Sequence, residues 1–128
     1  MAVRAIRGAT QLDVDEREHL LERTAELVRL VLAENGLTTD DLISIVFTAT
    51  PDISSEFPAY AARLLGLVDV PLLCTVELKI TGAMTRVVRL LMHVDTGLAR
   101  AELTHVYLHG ARHLRRDLEH VRTDEEPA

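Results

Sequence analysis

Between Leu20 and Leu32 the apolar residues Leu20, Leu21, Ala25, Val28, Val31 and Leu32 recur at three- and four-residue spacing. That spacing gathers them on one stripe of a helix. Asp15 followed by Glu18 predicts a capping box at its start, and Asn35-Gly36 supplies a left-handed stop. On either side the pattern shortens to β character. Val3 to Arg7 reads as a short strand ended by Gly8-Ala9, with Val3, Ala5 and Arg7 on one side. Thr38 to Asp41 is a cap-like connector into Leu42 to Thr48, a β-branched run that reads as a buried strand and is broken by Pro51-Asp52. After a loop from Ile53 to Phe57, Pro58 takes a favoured first helical position. It opens a short helix through Ala61, Ala62, Leu64 and Leu65 that stops at Gly66.

Val70 to Leu78 is the next strand candidate, with Pro71 near its start, where a missing N–H does least harm. Arg86 to Val94 fits two patterns. A strand puts Arg89, Leu91 and His93 on one face, whereas a helix gathers Arg86, Arg89 and His93 on one polar side. The Val87-Val88 pair and the preceding Thr81-Gly82 turn lean towards strand. That turn would also fold the segments carrying Glu77 and Arg89 back on each other. Leu103 to Leu108 predicts a last short strand with His105 and Tyr107 on one face. Arg112 to Leu118 has room for one or two helical turns, and the polar residues beyond are expected to lack fixed structure. The pattern is α+β, one domain over 1–118 with a tail over 119–128.

Composition narrows the possibilities. Of 128 residues 48% are hydrophobic, yet Trp is absent and Phe and Tyr number two each, so Leu, Val, Ile and Ala must build the core. A formal charge of −6 and few aromatics argue against a nucleic-acid surface, which needs a basic field and stacking platforms. No apolar run has the length of a membrane span and the N-terminus lacks a signal-peptide core, so a cytoplasmic protein is expected. The single cysteine, Cys74, excludes an intramolecular disulfide and a Cys-rich zinc site. Lys79 is the only lysine among fourteen basic residues.

The search for chemistry leaves few residues. His105, His109 and His113 are spaced four apart, but a shared helix face is opposed by the L-T-H-V-Y-L composition and by Gly110, so no metal site is assigned. Cys74 in an apolar strand reads as a small packed residue, with no partner histidine identifiable by spacing. The glycines are dispersed and form no phosphate loop. Arg7, Arg63, Arg89, Glu77 and Tyr107 remain as charged or polar residues at positions that core packing would not choose.

Six short elements then fall in register. They are R-A-I-R-G-A-T (Arg4 to Thr10), T-A-T-P-D (Thr48 to Asp52), F-P-A-x-A-x-R (Phe57 to Arg63), V-P-L-L-C-T-V-E followed by the Thr-Gly turn, V-V-R (Val87 to Arg89) and H-V-Y-L (His105 to Leu108). Together they resemble the monofunctional chorismate mutases of the Bacillus type, from about Val3 to Leu118. The resemblance implies a mixed β-sheet with helices packed outside, assembled as a homotrimeric pseudo-α/β barrel with active sites between subunits. It makes Arg86 to Val94 a strand. The implied reaction is the Claisen rearrangement of chorismate to prephenate, on the way to phenylalanine and tyrosine, with no cofactor and no metal.

A concerted rearrangement is helped by holding the reactive conformer and stabilising charge on the breaking ether bond. By resemblance, Arg89 would donate to the ether oxygen. Glu77, with Cys74 beside it, would meet the ring hydroxyl. Arg7 and Tyr107 would bind substrate carboxylate, Phe57 and Ala59 would form apolar wall, and Arg63 would stand at the cleft mouth. Leu114 and Arg115 would belong to a closing C-terminal segment. Two positions depart from the family pattern: Tyr60 stands where a lysine is expected, and Leu73 where a threonine is expected. Two other classes fit the same frame, an imine-hydrolysing trimer and a non-catalytic trimer that binds a small metabolite. The Cys-x-x-Glu element and the H-V-Y-L tyrosine favour the mutase.

Overall fold

The computed structural model describes residues 1–114 and 121–124. Arg115, expected in the substrate-closing segment, lies outside them. The secondary elements run β1 (Ala2–Gln11), α1 (Arg17–Glu34), β2 (Leu42–Ala49), α2 (Pro58–Leu64), β3 (Leu72–Val76), β4 (Val87–Thr96), β5 (His105–Leu108) and β6 (Val121–Thr123). They form one mixed sheet in the order β3-β2-β4-β1-β5-β6. β4 is antiparallel to both β1 and β2, while β2–β3, β1–β5 and β5–β6 are parallel pairs. The fold is α+β, as the sequence predicts.

Both helices pack on one face of the sheet. Leu27, Val28 and Val31 of α1 and Ala59 and Ala62 of α2 share a core with Ile6, Ile45, Phe47, Leu90, Met92 and Val106 from the strands. Burial of this aliphatic surface is the main favourable term in forming the sheet–helix layer. The opposite face carries the alternate residues of each strand. Ala5, Arg7 and Ala9 lie opposite His93, Leu91 and Arg89, which in turn lie opposite Ser44, Val46 and Thr48. No described element of the chain covers the β2–β4 part of that face.

Three local expectations are corrected. Gly8-Ala9 does not end β1, which runs on to Gln11. A Cβ at Gly8 would lie 3.2 Å from Leu27 and 3.3 Å from Leu90, so this glycine lets α1 sit close on a continuing strand. The Asp15–Glu18 capping box is absent, since α1 begins at Arg17 with Glu16 as an N-cap that makes no side-chain cap bond. Asp15 turns instead to the loop before α2, accepting hydrogen bonds from the backbone N–H of Ser54 (3.0 Å) and of Ser55 (3.2 Å). Within the stretch expected to lack structure, Val121–Thr123 is a strand paired with His105–Tyr107. The predicted helical stop does form: Gly36 adopts φ +61 after the C-cap Asn35. Arg86 to Val94 resolves as a strand, beginning at Val87 behind an Arg86 with φ +53.

Candidate active site

Glu77 follows β3 directly, its backbone N–H donating to Ala49 O at 2.9 Å, so the β2–β3 pairing continues one residue past the strand. The two-residue alternation of a strand places Glu77 with Thr75, and Thr75 lies opposite Thr48. Thr48 in turn lies opposite Arg89. Three strands therefore bring a carboxylate, a hydroxyl and a guanidinium to the open face. Arg89 Nε donates to Glu77 Oε2 at 3.0 Å and to Oε1 at 3.2 Å, and the Thr48 hydroxyl donates to Glu77 Oε2. The pair is partly buried, with side-chain exposures of 35% for Arg89 and 18% for Glu77.

The expected hairpin between the Glu77 and Arg89 segments is not what joins them. β2 lies between β3 and β4, and the pair meets across Thr48. In the sequence Thr48 stands out only as the first residue of T-A-T-P-D. Its role depends on cross-strand register, which has no local signature. Only Nε of Arg89 is engaged: among the described residues, its terminal NH2 groups donate to no protein acceptor. Arg89 and Glu77 line a cavity of about 400 Å³ together with residues of the β3–β4 loop.

A second cavity, of about 350 Å³, adjoins the first at Thr50 and is lined by Phe57, Cys74 and the Ile53–Pro58 loop. Phe57 is 71% exposed. Ala59 is buried, and its backbone N–H donates to Cys74 Sγ at 3.3 Å. Burial pushes the Cys74 thiol above its ordinary range, against the opposing effects of that N–H and of the Arg63 guanidinium. Cys74 does not share a face with Glu77. It lies opposite Phe47 on the helix side of the sheet, while still bordering the Phe57 cavity. Arg63 is exposed on α2.

Arg7 and Tyr107 lie on the neighbouring strands β1 and β5, the third region. Arg7 lines a cavity of about 390 Å³ with His93 and His105, and its backbone N–H donates to His105 Nδ1 at 3.0 Å. Tyr107 is 2% exposed, packed with Ala9, Ala111 and Leu114. Leu114 packs against the cluster that holds this tyrosine. The three histidines spaced four apart are dispersed: His105 lies on β5, and His109 bonds Glu26 at 2.8 Å through Nε2. Tyr60, at one of the departures, lies 5.4 Å below the Arg17 guanidinium. Leu73, at the other, is on the open face of the edge strand β3 and 61% exposed.

One chain therefore presents three partial constellations. Residues 3–118 match the model of the family described as chorismate mutase type I. The chain is 37% identical over 119 residues to chorismate mutase AroH of Bacillus subtilis (strain 168), covering 92% of this chain and 94% of that protein. It is 41% identical over 118 residues to chorismate mutase AroH of Thermus thermophilus, covering 91% of this chain and 97% of the relative. Among solved structures, a chorismate mutase from Clostridium thermocellum superposes with a TM-score of 0.84 at 38% identity, over 85% of this chain and 97% of the other. The chain belongs to the type I chorismate mutase family.

Proposed function

We propose that this protein is a chorismate mutase, an isomerase converting chorismate to prephenate in aromatic amino-acid synthesis. The observation that carries the reading is the set of Arg89, Glu77 and Thr48 at a cavity of substrate size, in a chain of this family. In the reaction the ether C–O bond breaks while a C–C bond forms within one molecule, and negative charge grows on the ether oxygen. Glu77 holds Nε of Arg89, which leaves the terminal NH2 groups to donate to that oxygen. A donor fixed before the reaction stabilises developing charge without reorganising at the transition state. Glu77 keeps unused lone pairs and accepts from the ring hydroxyl. Arg7 and Tyr107 take substrate carboxylate, Phe57 and Ala59 supply apolar wall, and Arg63 adds positive field at the mouth. Cys74 lines the Phe57 cavity on the side of the ring hydroxyl, and Leu114 and Arg115 belong to the C-terminal segment assigned to close over the substrate.

The assembly belongs to the same proposal: a homotrimer with active sites between subunits. Support comes from the separation of the Arg7 and Phe57 groups within one chain and from the apolar side chains left on the β3 edge. Leu73 is 61% exposed there, Val76 65% and Leu78 84%. An uncovered apolar edge strand is a surface that native proteins bury against a partner. A cytoplasmic setting goes with this reading and with the free thiol of Cys74. Among the described residues no helix is long and apolar enough to cross a membrane.

Purified protein mixed with chorismate and followed by loss of the substrate's ultraviolet absorbance tests the activity. A rate well above the spontaneous rearrangement is expected. No enhancement, in a sample shown to be trimeric, would sink the reading.

A further inference from the structure

The cavity over the Glu77–Arg89 pair contains a cation that the mechanism above does not use. Its charged lining side chains are Asp52, Glu77, Lys79 and Arg89. Both carboxylates are occupied: Glu77 by Arg89 and Thr48, and Asp52 by the Arg86 backbone N–H at 3.0 Å and 3.3 Å. Arg89 is oriented by Glu77. Lys79 is exposed, and among the described residues it has no ion-pair or hydrogen-bond partner.

The loop that carries Lys79 is tied at both ends. Glu77 N–H binds Ala49 O at 2.9 Å, Gln11 Nε2 donates to Thr85 O at 2.8 Å, and an Ala83 N–H to Ile80 O bond of 3.1 Å closes the turn through Gly82. Lys79 thus lines the same cavity two residues beyond Glu77, on a loop anchored at both ends, and its four-carbon stem gives the ammonium reach. An ammonium is a compact charge with rotatable donors, suited to a carboxylate whose angle of approach is not fixed.

We infer that Lys79 is a substrate-binding residue that takes one carboxylate of the dianion over the Glu77–Arg89 pair. The inference rests on the mutase reading. It goes beyond it in assigning a carboxylate contact to the β3–β4 loop.

Initial rates against chorismate concentration, at low and high salt, test it with Lys79→Met and Lys79→Arg. Lys79→Met should raise KM about tenfold, equivalent to about 1.4 kcal/mol, with kcat nearly constant. It should also flatten the salt dependence of kcat/KM, and Lys79→Arg should recover most of the KM. A Lys79→Met KM within about twofold of the parent, with an unchanged salt slope, overturns the inference and leaves the mutase reading standing. A parent protein without mutase activity overturns both. Reductive methylation of the unmutated protein gives an independent measure, because Lys79 is the only lysine in the sequence. Prephenate should protect Lys79 relative to the Met1 amine, and equal labelling with and without prephenate counts against the contact.

Discussion

Arg89 meets Glu77 through Nε, across the strand that carries Thr48, at 3.0 Å. The contact neutralises two charges, but it also sets an orientation. A guanidinium engaged only through Nε keeps its terminal N–H donors for a further acceptor. The pair is therefore compatible with both residues facing ligand, Arg89 through Nη and Glu77 through its remaining lone pairs.

Arg89→Ala should lower kcat by about 3 to 4 kcal/mol, a factor of several hundred, because the lost donor acts mainly in the transition state. Steady-state rates with size-exclusion chromatography on the same sample check it. A variant that keeps its kcat while assembling normally removes Arg89 from the chemistry.

Asp15 ties the start of α1 to the loop that presents Phe57. Hydrogen bonds from Ser55 and Ser54 hold its carboxyl below the usual range. A carboxyl with a lowered folded-state pKa contributes stability that is fully present above its unfolded pKa, about 3.9, and is lost as pH falls through the folded value. Asp15→Asn should lower the thermal midpoint at neutral pH, and the gap from the parent should close on acidification. An equal gap at neutral and strongly acidic pH would separate Asp15 from this linkage. KM should rise as well, since the Phe57 loop loses its anchor.

Burial raises the Cys74 thiol, so at neutral pH it should react slowly with iodoacetamide compared with a free thiol. The same shift has a sign in stability. The folded state holds the proton more tightly than the unfolded chain, so stability is intact below the unfolded thiol value and falls as pH rises through the folded one. Thermal midpoints measured from neutral to alkaline pH should decline less steeply for Cys74→Ala than for the parent. Parallel curves would mean that Cys74 ionisation is not linked to folding.

Leu73→Asp places a charge on the open face of the edge strand, where the subunit contact is proposed. Sedimentation should show loss of the trimer, and activity should fall in step because a lone chain leaves the Arg7 and Phe57 groups apart. A trimeric and fully active Leu73→Asp protein would move the interface elsewhere.

Features set by near neighbours in the chain were legible without a structure. The stripe through Leu20, Val28 and Val31, the stop at Gly36, Pro58 at the first turn of α2 and the β-branched run of β2 all follow from local periodicity and backbone preference. Within that stripe the burial shifts by one position: Thr24 and Leu27 are buried, and Ala25 and Leu32 are half-buried. Motif resemblance then supplied the family and named Glu77 and Arg89 as site residues.

Tertiary structure decided what depends on which strands become neighbours. A sequence does not display that β2 slips between β3 and β4, so it cannot show that Thr48 mediates the Glu77–Arg89 meeting. Strand alternation separates Cys74 from Glu77, but that α2 covers the Cys74 side is decided only when the helices pack. Gly8 reads locally as a strand end, and only its pairing with β4 and β5 carries β1 on to Gln11, while the missing Cβ admits Leu27. Asp15 reads locally as a cap, and only the folded chain brings Ser54 and Ser55 to it. Local pattern determines which elements form, because backbone preference and side-chain period act over a few residues. The geometry of the site is set by contacts between residues far apart in sequence, and those exist only once the sheet is assembled.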